Sequence, residues 1–482
     1  MEITEIWEKD SYLKPYKPVI WRRHQMRLDK ALQIRGTHDR LAHAINNHLY
    51  YGIHKTETGW ICREWAPNAV AIYLTGECNG WKKDPGYAFI PVGSGNWELI
   101  LPSGALQHGQ LYKWLIEWPG GSGERLPAYA RRCVQDPETK IFSAQVWDPA
   151  EPYRWKYNNP PRVTHPLIYE AHIGMSAQEP GIADFDWFRE KVLPRIARLG
   201  YNTIQLMAIQ EHPYYGSFGY QVSNFFAVSS RFGTPESFKR LIDEAHAQGI
   251  AVIMDLVHSH AVKNEIEGLS RFDGTYDQYF HAGPRGEHPL WSSRCFDYGK
   301  DAVIHFLLSN IKYWMEEFHL DGFRFDGVTS MMYHDHGLGR DFTQYGHYFD
   351  GNQDEDAITY LGLANRLIHE CNPQAITVAE DVSGMPTLAY PLEKGGIGFD
   401  FRMSMGVADH WIKWIKELRD EDWHVGDIFY QLTNKRQDER TISYAECHDQ
   451  AMVGDKTIIF RLIDKEMYTS MSKDIPSLVV DR

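Results

Sequence analysis

Basic charge is scarce: fifty Lys and Arg stand against sixty-four Asp and Glu, leaving a formal charge of −14 over 482 residues. That balance excludes a nucleic-acid groove or an anionic membrane surface as the main partner and favours a neutral one. Long apolar runs are missing too. Nowhere do about eighteen apolar residues follow one another, as a bilayer span requires. The opening MEITEIWEKDSYLKPYKPVI lacks a basic region followed by an apolar stretch, so it reads as neither export signal nor anchor. Six cysteines (Cys62, Cys78, Cys133, Cys295, Cys371, Cys447) are scattered without a C-x-x-C pair or the spacing of a zinc site. They read as reduced, mostly buried thiols of a cytoplasmic protein. Internal repeats and low-complexity tracts are absent as well.

What is present is the balance of an ordinary folded chain, 43% hydrophobic and 24% charged. The length favours two or three folded units, one of them large. Aromatics reach 13%; burial statistics assign most of them to core.

The texture changes along the chain. Residues 1–52 are polar and helical in pattern, with Leu28, Ala31, Leu32 and then Leu41, Ile45 at helical spacings. From 53 to 150, short alternating runs such as 70–74 and 97–101 are divided by Gly, Pro and Asn turns, the pattern of a small β-sandwich. A proline-rich stretch at 149–166 marks a boundary. Beyond it, residues 160–482 alternate compact apolar strands with amphipathic helices. The strands are expected at 167–173, 203–209, 250–257, 322–326, 376–380, 399–403 and 442–446. One helix is fully punctuated, with Thr234 as N-cap, Pro235 at its first position and Gly249 at its end; another starts near Asp301. Such alternation implies a parallel sheet covered by helices, either an α/β barrel or a doubly wound sheet. The segment at about 260–319 is long for a connection and reads as a small insertion.

In a parallel α/β barrel, chemistry sits where strands end at the carboxyl face. Four expected strands end in polar groups there: Asp255 through His260 in MDLVHSH, Arg324 and Asp326 in GFRFDG, Glu380 and Asp381 in VAED, and Glu446, His448 and Asp449 in YAECHDQ. One such carboxylate would be an ordinary helix cap or ion pair, but four in succession form a constellation. Two carboxyl groups flanking a glycosidic bond suffice to cleave it. Asp326 is the better nucleophile, because Arg324 two residues earlier shares its face of the strand and should keep its pKa low. Glu380, in the apolar run ITVAE, is the better acid/base, since desolvation raises a carboxyl pKa. Asp449 would hold the sugar, and His260 and His448 would hydrogen-bond its hydroxyls.

DLVHSH, GFRFDGVTS, VAEDVSGMP and YAECHDQ resemble the four signature regions of the α-amylase superfamily. Within it, EHPYYGSFGYQVSNFFAVSSRFGTPESFK, TVAEDVSGMP and YAECHDQAMVGDK are most similar to glycogen branching enzymes of the eukaryotic type, from about residue 10 onward. REWAPNAVAIYLTGECNGW resembles that family's amino-terminal carbohydrate-binding sandwich. The resemblance implies a (β/α)8-type barrel preceded by a β-sandwich and a helical segment. It implies Asp326 as nucleophile, Glu380 as acid/base and Asp449 as transition-state stabiliser, with Asp255, His260, Arg324 and His448 in substrate binding. Tyr220 falls where the family sets an aromatic ring against the sugar; sequence alone leaves it core or turn. The implied substrate is an α-1,4-glucan such as glycogen or amylose, whose released segment passes to a 6-hydroxyl, with no cofactor and no metal. A debranching or amylase-like hydrolase would keep the same motifs, and a glucan-binding protein without turnover is the reading from another class.

The family pattern continues past an eighth strand into a carboxy-terminal β-domain, whereas thirty-three residues follow Asp449 here. The barrel is therefore expected to be incomplete at its carboxy-terminal end, with its first and seventh strands unpaired. Cys447 stands where the relatives usually carry Ser. The pairs His258/His260 and His334/His336 could suggest a metal-dependent hydrolase, but the carboxylates at later strand ends argue against it. GGSGER at 120–125 reads as a turn, and DGNQDED from Asp350 to Asp356 as an acidic loop.

Overall fold

The computed structural model describes residues 5–453, 456–472 and 474–481. The largest sheet has seven parallel strands in sequence order: β1 (Ile168–Ala171), β2 (Thr203–Leu206), β3 (Ala251–Leu256), β4 (Gly322–Phe325), β5 (Ile376–Ala379), β6 (Phe401–Met403) and β7 (Thr441–Ile442). All are short, and β2 to β5 are wholly buried, as a sheet flanked on both faces requires. The alternation of side chains divides the faces. Ala251, Ile253, Ile376, Val378, Phe401 and Met403 form a compact apolar cluster of their own. Val252, Met254, Leu256, Phe323 and Phe325 instead join the main core shared with the surrounding helices.

Four long helices matter for placing the site: α1 (Lys17–Arg35), α2 (Pro235–Ala247), α3 (Asp301–Phe318) and α4 (Glu355–Cys371). Helix α2 begins as its sequence dictates, with the Thr234 hydroxyl accepting from the Ser237 N–H at 3.1 Å. Helix α1 lies across the barrel helices, bound by Arg23 to Glu355 at 2.9 Å and by Lys30 to Asp301 at 2.8 Å. Its inward residues are Ile20, Arg27, Ala31 and Ile34, whereas Leu28 and Leu32, which mark the helix by their spacing, are exposed. Docking, not amphipathicity, orients this helix, because the buried Arg27 donates to the Gly396 carbonyl at 2.8 Å.

Between them stands a sandwich. A four-stranded antiparallel sheet (Gly52–Lys55, Gly59–Trp65, Asn96–Pro102, Ile90–Gly93) packs on a five-stranded one (Ala71–Gly76, Leu111–Trp118, Gly121–Arg125, Phe142–Gln145, Cys133–Gln135). Glu64 pins the two together: fully buried, it accepts from Trp114 Nε1 and the Ala128 N–H, each at 3.0 Å. Burial pushes its carboxyl up to about 7. Trp97 packs inside the sandwich, whereas Trp81 is exposed with a left-handed φ of 62°. The GGSGER segment does more than turn, since Gly121–Arg125 runs on as a strand paired with Trp114–Trp118. Sandwich and barrel share one core, with Tyr129 stacked on Phe226 at 4.7 Å.

Three boundaries differ from the sequence reading. The long segment after β3 divides into an irregular part up to residue 300 and helix α3, which belongs to the layer around the sheet. Strand β6 begins at Phe401, two residues later than expected, because Asp400 is spent on the Thr377 N–H at 3.0 Å. Strand β7 is only two residues long; the chain leaves the sheet early, and Glu446 accepts from the Ile458 N–H at 2.7 Å. Glu446 is therefore a local cap outside the candidate site.

Among the described residues no strand joins β7 to β1. On either side of β7 large apolar side chains stand in solvent, Phe429 before it and Tyr468 and Leu478 after it. Amide hydrogen exchange measured by mass spectrometry is expected to be slowest in β3 and β4 and fastest in β7, because local opening follows the density of buried neighbours.

Candidate active site

The site begins with strand register. Asp255 on β3 lies opposite Arg324 on β4, and Phe325 lies opposite Ala379 on β5. Asp326 and Glu380 are thus each the first residue past neighbouring strands, at the same height. Alternation sets Arg324 and Asp326 on one face of their strand, facing Asp255. One guanidinium then meets three carboxylates: Arg324 Nη1 lies 2.9 Å from Asp255 and 3.0 Å from Asp326, and Nη2 lies 3.2 Å from Glu380. The Arg324 side chain is 1% exposed and that of Asp255 0%, so this is an ion cluster inside the protein.

Glycines complete the framing. Gly327 has φ +63°, and its N–H donates to Glu380 Oε2 at 2.6 Å; an added Cβ would press on Ser259 and Trp291. Gly219 has φ +93°, and an added Cβ would lie 1.9 Å from the Ala208 carbonyl oxygen, so only glycine lets the following Tyr220 enter here. Tyr220 donates to Asp255 Oδ2 at 2.6 Å. Its ring stacks on His448 with centroids 4.9 Å apart and planes 12° from parallel.

Tyr220, His260, Asp326, Glu380, His448 and Asp449 line one open cleft of about 690 Å³. Asp255 and Arg324 lie behind it. His260 Nε2 lies 2.7 Å from the Tyr220 carbonyl oxygen and Nδ1 2.9 Å from Ser259 Oγ, so both ring nitrogens have partners within the protein while the ring faces the cleft. His258 is farther from the cleft, between Tyr360 and Asn310. Asp381 points away from Glu380 and ties Thr329, Ser383 and Gly384 together. In the acidic loop, Asp354 caps α4 through the Asp356 and Ala357 N–H groups.

Electrostatics reverses one expectation. Burial first, then the charge of Glu380, pushes Asp326 up to about 7 in spite of Arg324. Burial likewise lifts Asp255 to about 6. Sequence shows the neighbouring cation but not the depth, and depth wins because one guanidinium is shared among three carboxylates.

Two groups at the site carried no usable sequence signal, one supporting a lining residue from behind and one lining the cleft. Glu170, on β1, holds His448 through its backbone N–H at 3.0 Å and Nδ1 at 2.9 Å, and receives Gln205 Nε2 at 3.2 Å. Burial opposes the charged imidazole, but the Glu170 hydrogen bond carries His448 up to about 9. Trp291, in the irregular segment, forms one wall and stacks on His288 at 3.9 Å. The same corner supplies the one group of three possible metal ligands among the described residues: Glu170, Cys447 and His448.

A parallel barrel sheet with paired carboxyls at adjoining strand ends, backed by a buried arginine, defines an enzyme of the α-amylase class. Residues 178–454 match the family described as alpha amylase, catalytic domain, and residues 50–130 match carbohydrate-binding module 48 (isoamylase N-terminal domain). The chain is 47% identical, over its whole length and 70% of the relative's, to the 1,4-alpha-glucan-branching enzyme of Equus caballus. It is 46% identical to that of Dictyostelium discoideum over 97% of this chain and 70% of that one. The fold is shared with GBS pullulanase SAP in complex with maltotetraose, at TM-score 0.61 and 18% identity, covering 86% of this chain and 60% of that one. The chain belongs to the 1,4-alpha-glucan-branching enzymes, glycosyl-transferring members of the α-amylase family.

Replacing Arg324 by Leu strands three carboxylates in the interior. Denaturant unfolding at pH 7.5 is expected to show a loss of about 3–5 kcal/mol. Asp255 and Asp326 have folded pKa values raised above their unfolded ones, so the folded state binds the extra protons and gains relative stability as pH falls. Arg324 holds both pKa values down, so without it they rise further and the variant gains more stability than the native chain on acidification; the loss should therefore shrink at pH 5, and an equal loss at both pH values would contradict the role given to charge.

Proposed function

We propose that Asp326 attacks the anomeric carbon of an α-1,4-glucan while Glu380 protonates the departing glycosidic oxygen. The observation that carries this reading is the placement of Asp326 and Glu380 on a single guanidinium at the rim of the cleft. A glycosyl ester on Asp326 forms, and the glucan carrying the old non-anomeric oxygen leaves as an alcohol. Glu380, now ionised, takes the proton of an incoming 6-hydroxyl. That oxygen displaces Asp326, giving an α-1,6 branch with overall retention. Asp449 and His448 bind the hydroxyls of the reacting sugar, Tyr220 offers its ring as a platform, and Arg324 with Asp255 fixes the nucleophile. The match to carbohydrate-binding module 48 supports glucan as the partner, and no described helix is long and apolar enough to cross a membrane.

Burial and the charge of Glu380 raise Asp326 to about 7. A protonated carboxyl cannot attack, so kcat/KM is expected to fall along an acidic limb near pH 7, read from the pH dependence of the branching rate.

The test is incubation of the purified chain with amylose, followed by the iodine spectrum and by debranching of the product. New α-1,6 branches are expected, and Asp326→Asn should lower their rate roughly 10³-fold or more. Release of short unbranched sugars would identify a hydrolase; glucan binding without turnover in a folded chain would identify a binding protein.

A further inference from the structure

Glu170, Cys447 and His448 come from opposite ends of the parallel sheet: Glu170 from β1, Cys447 and His448 from the turn after β7. One donor atom of each lies within 4.8 Å of the others. Two contacts are already tight, with Glu170 Oε1 and His448 Nδ1 2.9 Å apart and Cys447 Sγ 3.1 Å from Gln450 Oε1. A tetrahedral zinc ion holds thiolate, imidazole and carboxylate atoms about 3–4 Å from one another, so the three donors need to close by about 1 Å. The set mixes one soft, one borderline and one hard donor, which suits zinc and disfavours calcium and magnesium, which take oxygen ligands. The cluster is roofed by the protein, with Cys447 9% exposed, yet His448 and Asp449 open onto the cleft. An ion can therefore arrive from the substrate side.

We propose that these three residues form an inhibitory zinc site at the edge of the active-site cleft, with the Gln450 amide oxygen or a water as fourth ligand. Binding replaces the S–H bond of Cys447 and the proton between His448 Nδ1 and Glu170 by bonds to zinc, and both protons pass to solvent; no group changes oxidation state. His448 loses its hold on Glu170 and turns toward the metal. The ring stacked on Tyr220 and the carboxylate that follows, Asp449, are drawn away from the sugar. The inhibitory consequence rests on the sugar-binding role proposed above for His448 and Asp449; the metal binding does not.

The full chain would be titrated with cobalt(II) chloride as a spectroscopic stand-in, and in parallel with zinc chloride in the branching assay. Cobalt is expected to give a thiolate-to-metal charge-transfer band, abolished by added zinc and missing in Cys447→Ser, while Cys78→Ser, which removes a more exposed thiol elsewhere, keeps it. Zinc at micromolar concentration should lower activity at least tenfold, reversibly with a chelator. Cys447→Ser, outside the proposed catalytic machinery, should stay active and need at least tenfold more zinc. No thiolate band in the native chain, or the same band in Cys447→Ser, overturns the site. A Cys447-dependent band without inhibition keeps the site and overturns its inhibitory role. Should Cys447→Ser fail to fold, the band in the native chain and in Cys78→Ser decides the binding claim. A native chain that binds cobalt through Cys447 but makes no branches under any condition would tell against the proposed function alone.

Discussion

One buried cation holds this site together. Arg324 is enclosed, and within 3.2 Å of it lie carboxylate oxygens of Asp255, Asp326 and Glu380. Remove the guanidinium, and three acids in a low-dielectric mouth would shed their charge or spread apart. With it present they are gathered, yet incompletely neutralised, so that the shared cation still leaves Asp326 near neutrality in its titration. Asp326 has to shed that proton before it can act as a nucleophile, so the depth of the site sets the pH at which attack becomes possible. Strand register produces this arrangement, since Asp255 and Arg324 are paired residues of β3 and β4.

The sheet is closed at its polar rim by side chains. Across the gap between β1 and β7, Glu170 grips both the backbone and the ring of His448. Below that rim the apolar cluster of Ile253, Val378, Phe401 and Met403 fills the interior. From outside, α1 and the sandwich brace the helices through Arg23, Lys30 and the edge-on contact of Tyr129 with Phe306. The elements far from β7 are held by several neighbours, whereas β7 relies on β6 and on the Glu170 link.

Much of this was legible in the residues. Period-two alternation put Arg324 and Asp326 on one face, and repeated apolar strands with capped helices indicated the parallel sheet. The fold class follows from both, and the family's motifs narrowed it to the barrel with a sandwich before it. Contributions that depend on the third dimension were hidden. Glu170 is a lone acid in IYEAH, and nothing in the string reveals that it meets a histidine nearly 280 positions later. Trp291 sits in an irregular segment with no period to read. Leu28 and Leu32 have helical spacing, yet α1 is turned by its polar anchors. The sign of the Asp326 shift failed because a neighbouring Arg is visible in sequence while burial is not. Glu446 looked like a strand-end acid only because β7 was expected to run four residues further than it does.

Turnover by the proposed route depends most on the Asp326 carboxylate carrying the sugar. The direct measurement is trapping with a fluorinated glucosyl fluoride that forms the ester quickly and releases it slowly, followed by peptide mapping of the labelled protein. One added sugar is expected on the peptide that contains Asp326. A label on Glu380 instead, or turnover with inversion and no label, would contradict it.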